Sequence, residues 1–336
     1  MPLEETAMSL LPSPLTRGVD AVLEGTVVFS FSRVGHALRS RLDGWEDVAT
    51  GDGRGRRVLI TGANSGLGYA TAAELIGAGA RVLLTVRSAA KGDATLARLA
   101  KDLGQDPSDV AAYDVLDLSD LASVRAFAAR RLAEPDPIDV LIHNAGAMFP
   151  TRVTTGDGLE RTYQVHVVAP FLLTALLLPK LSAGNPGRVV TVTSGGMYTQ
   201  RLVTDEVDSP EDYRPSTAYA RAKRAQVSLT REWSDRFHGR GVEFQVAHPG
   251  WALTPGVEAS LPVFRRVTGP ILRDPAQGAD TVVFLALAGG LPVDGRLWHD
   301  RRVRSEHRLP WTVPAHDEAR HLWDRVSGDA GVTPRL

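Results

Sequence analysis

From residue 56 onward the chain alternates short, nearly all-apolar runs with longer helical ones, and this alternation restricts its possible folds more than any other feature. The runs are RRVLIT, RVLLTVR, DVAAYDV, IDVLIHN, GRVVTVTS, VEFQVAH and GRLWHD. Between them lie helical patterns such as GLGYATAAELIGAGA, LASVRAFAARRLA and YARAKRAQVSLTREWSDRF. A strand that is apolar at almost every position is buried on both faces, as in a parallel sheet covered by crossover helices. The expected fold class is therefore α/β, a doubly wound parallel sheet of about seven strands.

With 336 residues, the chain fits one α/β domain of roughly 250 residues carrying an extension at each end. Residues 1–54 are expected to form an extension with one amphipathic helix and a Gly-rich linker, ATGDGRGRR. Residues 55–300 form the main domain, and 301–336 a tail with one helix, AHDEARHLWDRV, stopped near Gly328. In the first extension, Val27, Val28, Phe31, Val34 and Leu38 recur at helical spacing with arginines opposite. Packing on its own domain is the expected fate of such a helix, with contact to a membrane surface as the alternative. Acidic residues interleave with the tail arginines, which predicts a solvated face. His299 and His307 fit no compact metal site, and no metal is expected.

The formal charge of −1 gives no general attraction to nucleic acid or to an anionic membrane. The absence of cysteine excludes disulfides, thiolate nucleophiles and zinc–thiolate centres. The start, MPLEETAMSLLPSPL, is acidic and interrupted by prolines, unlike a secretory signal. Apolar stretches such as VVAPFLLTALLLP read as too short and too interrupted to span a bilayer. A cytoplasmic location is the expectation.

The first strand runs into TGANSGLGYATAAEL, with Gly62, Gly66 and Gly68 between strand and helix. Missing side chains there let the backbone approach a pyrophosphate at the helix N-terminus. Asn64, Ser65 and Leu67 belong to the same cofactor turn. The second strand ends LLTVRSAAKG, with Arg87 where an NAD-preferring fold places an acid. A carboxylate there repels a 2′-phosphate, whereas arginine pairs with it, so NADP(H) is favoured over NAD(H).

Of 38 basic residues only 4 are lysines, and one of them, Lys223, follows Tyr219 by a single helical turn. At this spacing both side chains reach one site. The preceding strand, GRVVTVTS, presents Ser194 on the nucleotide-facing edge. A tyrosine of pKa about 10 is a poor base near neutrality; moving it by about 3 units takes roughly 4 kcal/mol, which a neighbouring ammonium helps to supply. Ser194 is expected to orient a substrate oxygen and Tyr219 to exchange a proton with it. Lys223 then tunes the tyrosine and bonds ribose hydroxyls, a role that suits a compact ammonium better than a planar guanidinium.

At these residues the sequence resembles the short-chain dehydrogenase/reductase family. TGANSGLG resembles the family's cofactor turn, and HNAG at 143–146 its Asn-Asn-Ala-Gly segment. Ser194, Tyr219 and Lys223 match its catalytic triad, and HPGWALT at 248–254 its Pro-Gly motif. The likeness covers about residues 56–300. Within the family, VVTVTSGGM, HPGWALTPGV, QGADTVVFLAL and WHDRRVRSEH resemble the dehydrogenase/reductase member 12 subgroup. The resemblance implies a Rossmann-type fold and a nicotinamide cofactor. It places Asp117 and Leu118 at the adenine, and Asn144, Ala145 and Gly146 along the crevice. Pro249 and Gly250 border the nicotinamide, and Thr254 meets its carboxamide. His166 stands where the family has a relay asparagine; a proton relay through its ring and a purely structural filling are both open. His143 replaces the first Asn of the Asn-Asn-Ala-Gly pattern and is expected to be structural.

The loop after Thr254 carries Leu261, Val263, Phe264, Val267, Ile271 and Leu272. In the resembling family this segment closes over substrate. With Met148, Phe149 and Met197 it predicts a hydrophobic pocket, or else merely packs the lid. The sequence thus predicts an NADP(H)-dependent oxidoreductase interconverting an alcohol and a carbonyl on an apolar small molecule. The competing function is a nucleotide-binding module without turnover, acting as a cofactor-responsive interaction protein. A homo-oligomer is left open, since helices after the fourth and fifth strands pair subunits in the resembling family.

Overall fold

The computed structural model describes residues 14–45, 52–183, 186–205, 207–208, 212–253, 265–266, 268–292 and 294–335. Three helices come first: α1 (Pro14–Gly25), α2 (Val27–Phe31) and α3 (Arg33–Leu42). Strands and helices then alternate through β1 (Arg57–Thr61), α4 (Gly66–Gly77), β2 (Arg81–Val86), α5 (Ala89–Leu103), β3 (Ala111–Val115) and α6 (Leu121–Ala133). The alternation continues with β4 (Val140–His143), α7 (Arg161–Leu181), β5 (Gly187–Val192), α8 (Pro215–Arg236), β6 (Val242–Ala247), α9 (Pro275–Leu287) and β7 (Leu297–His299). A short β8 (Arg302–Val303) and α10 (Glu318–Ala330) follow.

The sheet order is β3-β2-β1-β4-β5-β6-β7-β8. The seven expected strands are all present and parallel; the eighth runs antiparallel to β7. Its two residues are too few to carry a period, so the sequence offered no sign of it. The reversal is made by Asp300 (φ 52) and Arg301 (φ 54), both left-handed without being glycine. Two such residues make a turn whose twist matches the strands, at a cost in backbone strain.

Central strands such as Gly187–Val192 are buried at every position, which explains their unbroken apolar sequence. One face packs against α4, α5 and α9, with Leu75, Leu99 and Val282 fully buried. The other packs against α6, α7 and α8, with Phe127, Leu172 and Leu177 fully buried. Asp120 caps α6 by accepting from the Ala122 N–H, and Asp274 and Gln277 form a capping box at α9. Helix α10 lies on α7 and α8, its Trp323 ring 4.8 Å from Phe171 and 4.7 Å from Trp233.

The first extension departs from expectation. Instead of one amphipathic helix there are three, broken at Ser32, where Gly35 packs so close that a Cβ would sit 2.3 Å from the Phe29 carbonyl. Phe31 and Arg39 point inward, while Val27, Val28, Val34 and Leu38, expected to form the packed face, are exposed. The cause is electrostatic. Buried Arg39 binds Asp20 (2.7 Å), Asp300 (2.6 Å) and Glu24 (3.0 Å), and Arg273 binds Asp300 at 2.6 Å. The tail arginines are likewise not a solvated face. Arg304 pairs with Asp20 at 2.7 Å, Arg302 with Asp20 at 2.8 Å, and Arg308 with Glu24.

Candidate active site

In this sheet the strand order reverses between β1 and β4, and crevices for ligands form beyond the carboxyl ends of strands at such a switch point. A cleft of about 790 Å³ lies there. It is lined by Gly62, Asn64, Ser65, Gly66, Leu67, Gly68, Arg87, Asp117, Leu118, Asn144, Ala145, Gly146, Ser194, Tyr219, Lys223, Pro249 and Gly250. Of the expected site residues, two are missing from that lining. Thr254 lies outside the described residues, as do Leu261, Val263, Phe264 and Val267. His166 is fully buried behind the wall.

The turn after β1 is built to lack side chains. Gly62 has φ +68, and a Cβ there would lie 2.7 Å from Ala145 Cα. A Cβ on Gly68 would lie 2.3 Å from Asn144 Nδ2 and 2.4 Å from the Gly62 carbonyl. Thr61, which the sequence did not single out, joins this turn to the segment after β4. Its hydroxyl accepts from the N–H groups of Asn144 and Ala145, both at 3.1 Å. Asn144 donates back to the carbonyls of Thr61 (3.0 Å) and Gly62 (3.1 Å). The resulting bare, rigid cradle at the start of α4 fits a dinucleotide pyrophosphate. Arg87, exposed at the end of β2, stands at the same end of the cleft.

At the other end, Ser194 follows β5 and its hydroxyl lies within hydrogen-bonding reach of the Tyr219 hydroxyl. Lys223 is buried, its ammonium donating to the Val192 carbonyl at 2.8 Å and lying 5.5 Å from the Tyr219 ring centroid. Burial pulls Lys223 down to about 7. Burial also pushes the Tyr219 phenol up, and the Ser194 hydroxyl offsets part of that rise. The direction for Tyr219 is thus opposite to the lowering expected from the lysine. The phenol is held in its protonated form, ready to donate.

His166 sits in a π-helical turn of α7, Gln164–Val168. Its Nδ1 lies 2.8 Å from the Thr162 carbonyl, which only accepts, and its Nε2 takes the Ala147 N–H at 3.2 Å. Those two partners fix the tautomer, with the proton on Nδ1, and leave neither ring nitrogen for a relay. The backbone carbonyl of His166 accepts from Gln226 at 2.8 Å. His143 bonds Thr174 at 2.7 Å and lines no part of the cleft.

Burial pushes both His143 and His166 down to about 3, from an ordinary 6.5. The folded chain therefore refuses protons that the unfolded chain takes up below about 6.5. Stability is expected to be flat in these groups above that pH and to fall as pH drops from about 6.5 toward 4. Denaturant midpoints measured across that range check this; midpoints that rise on acidification would contradict it.

Apolar and aromatic groups expected near the substrate divide. Met148 and Phe149 line the cleft, joined by Trp251, which the sequence reading passed over. Met197 does not, being fully buried with Phe31 and Val227. The wall beyond Gly250 is tied to the first extension. The Trp251 N–H donates to the Phe31 carbonyl at 2.8 Å, and Arg273 Nε donates to it at 3.0 Å.

Residues 56–262 match the short chain dehydrogenase family. The chain belongs to the short-chain dehydrogenase/reductase family. It is 37% identical over 271 residues to human dehydrogenase/reductase SDR family member 12, a likeness spanning 79% of this chain and 83% of that protein. Human retinol dehydrogenase 14 is 38% identical over 289 residues, spanning 80% of this chain and 84% of that one. Among solved structures, an uncharacterized protein from Mycobacterium Paratuberculosis superposes with a TM-score of 0.69 at 29% identity, covering 87% of this chain and 99% of its own. As a family member, this protein is an NAD(P)-dependent oxidoreductase with a Rossmann-type fold, acting between alcohols and carbonyls.

The expectation of a cytoplasmic location does not stand. VVAPFLLTALLLP, read as too short and interrupted to span a bilayer, belongs to a continuous 21-residue helix, Arg161–Leu181, with the length and apolarity to cross a membrane. A retinol dehydrogenase is among the relatives. Pro170 and Pro179 do not break that helix: Pro170 falls near the π turn, and 83% of the apolar window is packed inside the domain.

Proposed function

We propose that the chain reduces or oxidises a carbonyl/alcohol pair on a largely apolar small molecule, with NADP(H) as the preferred cofactor and Ser194, Tyr219 and Lys223 as its working groups. The observation that carries this is the convergence of those three side chains, with the bare glycine cradle, on one cleft. The nicotinamide supplies or accepts the hydride when bound. The Ser194 hydroxyl orients the substrate oxygen. The Tyr219 phenol gives it a proton in the reductive direction and takes one back in the oxidative direction. Lys223 would bond the ribose hydroxyls of the bound cofactor. Met148, Phe149 and Trp251 exclude water and favour an apolar body. The relatives named retinol dehydrogenase support a hydrophobic alcohol as the type of substrate. A panel of apolar aldehydes, ketones and alcohols, followed by nicotinamide absorbance, tests the reading.

Preference for NADP(H) rests on Arg87, a cation at the end of β2 with no acid in the positions just after it. A charge-assisted contact to a 2′-phosphate is worth about 1.5–3 kcal/mol, or roughly 10- to 100-fold. Arg87→Glu should therefore weaken NADPH binding by that factor and leave NADH unchanged or tighter. Titration of both cofactors checks it; equal loss for the two would remove Arg87 from the selection. Tight NADPH binding with silence across the substrate panel would favour the binding module, a reading that the fully engaged ring of His166 supports.

A further inference from the structure

One cation in the cleft has no part in the chemistry described so far. Arg161, at the start of α7, lines the same cavity as Ser194 and Tyr219. Its guanidinium carbon lies 4.0 Å over the Phe149 ring centroid. The Phe149 ring stands 6.5 Å from His166, and the His166 ring 5.4 Å from Tyr219. Arg161 is therefore at the reacting end, while Arg87 and the glycine cradle, which face the anionic parts of a dinucleotide, hold the opposite end.

Among the described residues, no carboxylate pairs with Arg161, and its Nε is buried without a hydrogen-bond partner. The acid beside it is engaged elsewhere. Glu160 Oε1 accepts from the Thr162 N–H at 2.8 Å and its hydroxyl at 2.9 Å, and Oε2 accepts from the Tyr163 N–H at 2.9 Å. Other deeply placed arginines are neutralised by acids, as Arg39, Arg188, Arg273 and Arg304 are, or, like Arg224, donate to several backbone carbonyls. An aromatic face beneath a guanidinium leaves its edge free, and that edge matches a carboxylate in two parallel hydrogen bonds. Leaving a buried N–H donor without a partner carries a penalty that a ligand acceptor removes.

We propose that Arg161 is the anchor for a carboxylate on the substrate, so that the molecule turned over is an apolar carbonyl or alcohol with an acid group remote from the reacting carbon. This deepens the redox reading above and rests on it for the reaction, but the anion site itself does not need turnover. Phe149 and Met148 then hold the apolar body between the acid and the oxygen that Ser194 and Tyr219 address.

The test uses two aryl aldehydes of equal shape, para-formylbenzoate and its methyl ester, with the full-length protein. Reduction by NADPH should show kcat/KM roughly 10- to 100-fold higher for the carboxylate, mostly through KM. In Arg161→Gln that acid-over-ester preference should vanish while NADPH affinity stays as it was. Arg161→Lys should restore part of it. Binding is measured separately, by titrating both compounds into protein saturated with NADP+. Carboxylate binding that Arg161→Gln abolishes, with no turnover of either aldehyde, would keep the anion site and sink the redox assignment. Equal affinity for acid and ester in the wild-type protein, or an acid preference that survives in Arg161→Gln, would overturn the proposal.

Discussion

Replacing Tyr219 by Phe should cut turnover by about 10²–10⁴-fold, the range for a lost general acid, with NADPH affinity nearly intact. The substitution removes one oxygen and keeps the ring against His166, so packing changes little. What disappears is a hydroxyl within reach of Ser194 that burial holds protonated near neutrality. Because the lost interaction belongs to the transition state, kcat and kcat/KM should fall together. The lysine adds a pH signature. With Lys223 near 7 in the folded protein, its charge is present below that value and lost above it. Unchanged turnover in the phenylalanine variant would rule out the assigned chemistry.

The largest stability effect is expected at Asp300. Its side chain is fully buried between Arg39 (2.6 Å) and Arg273 (2.6 Å). Burial alone would raise its carboxyl, but the charges of Arg273, His299 and Arg39 outweigh that and hold it well below the usual range. It is ionised throughout the physiological range. Asp300→Ala leaves two buried guanidinium groups facing each other, and removing one partner of such a cluster costs about 3–5 kcal/mol. Denaturant unfolding measures this. The damage should also reach the cleft, because Arg273 holds the Phe31 carbonyl that accepts the Trp251 N–H. A loss below about 1 kcal/mol would show that the cluster relaxes around the gap.

The central strands such as β4 and β5 were readable because burial on both faces writes an unbroken apolar run, and the glycine cradle because backbone approach demands missing side chains. Tyr219 and Lys223 stood out by their helical spacing together with the preceding strand that ends in Ser194, and all three line the cleft. Other features were hidden for a physical reason. Helical periodicity puts Val27, Phe31, Val34 and Leu38 on one face, but does not say that of these only Phe31, together with Arg39, wins the interior. Their partners, Asp300 and Arg273, lie far along the chain, and nothing local in either segment points to the other. The tail arginines were misjudged for the same cause, since their acids are in the first extension. Arg161 carries no motif; only its position over Phe149 and its lack of an acid distinguish it. His166 was visible as a departure, yet only coordinates show that both its ring nitrogens are occupied.

The clasp between the two ends of the chain also sets an order of events during synthesis. Arg39 and Asp300 are 261 residues apart. At roughly 5–20 residues per second, the first helices would wait on the order of ten seconds to a minute on the ribosome before their counter-charges emerge. Through that interval Arg39 has Asp20 and Glu24 beside it but not Asp300, and Phe31 lacks the side chains that bury it. The nascent chain must carry Arg39 and Phe31 unburied while the nucleotide cradle behind them is already being made.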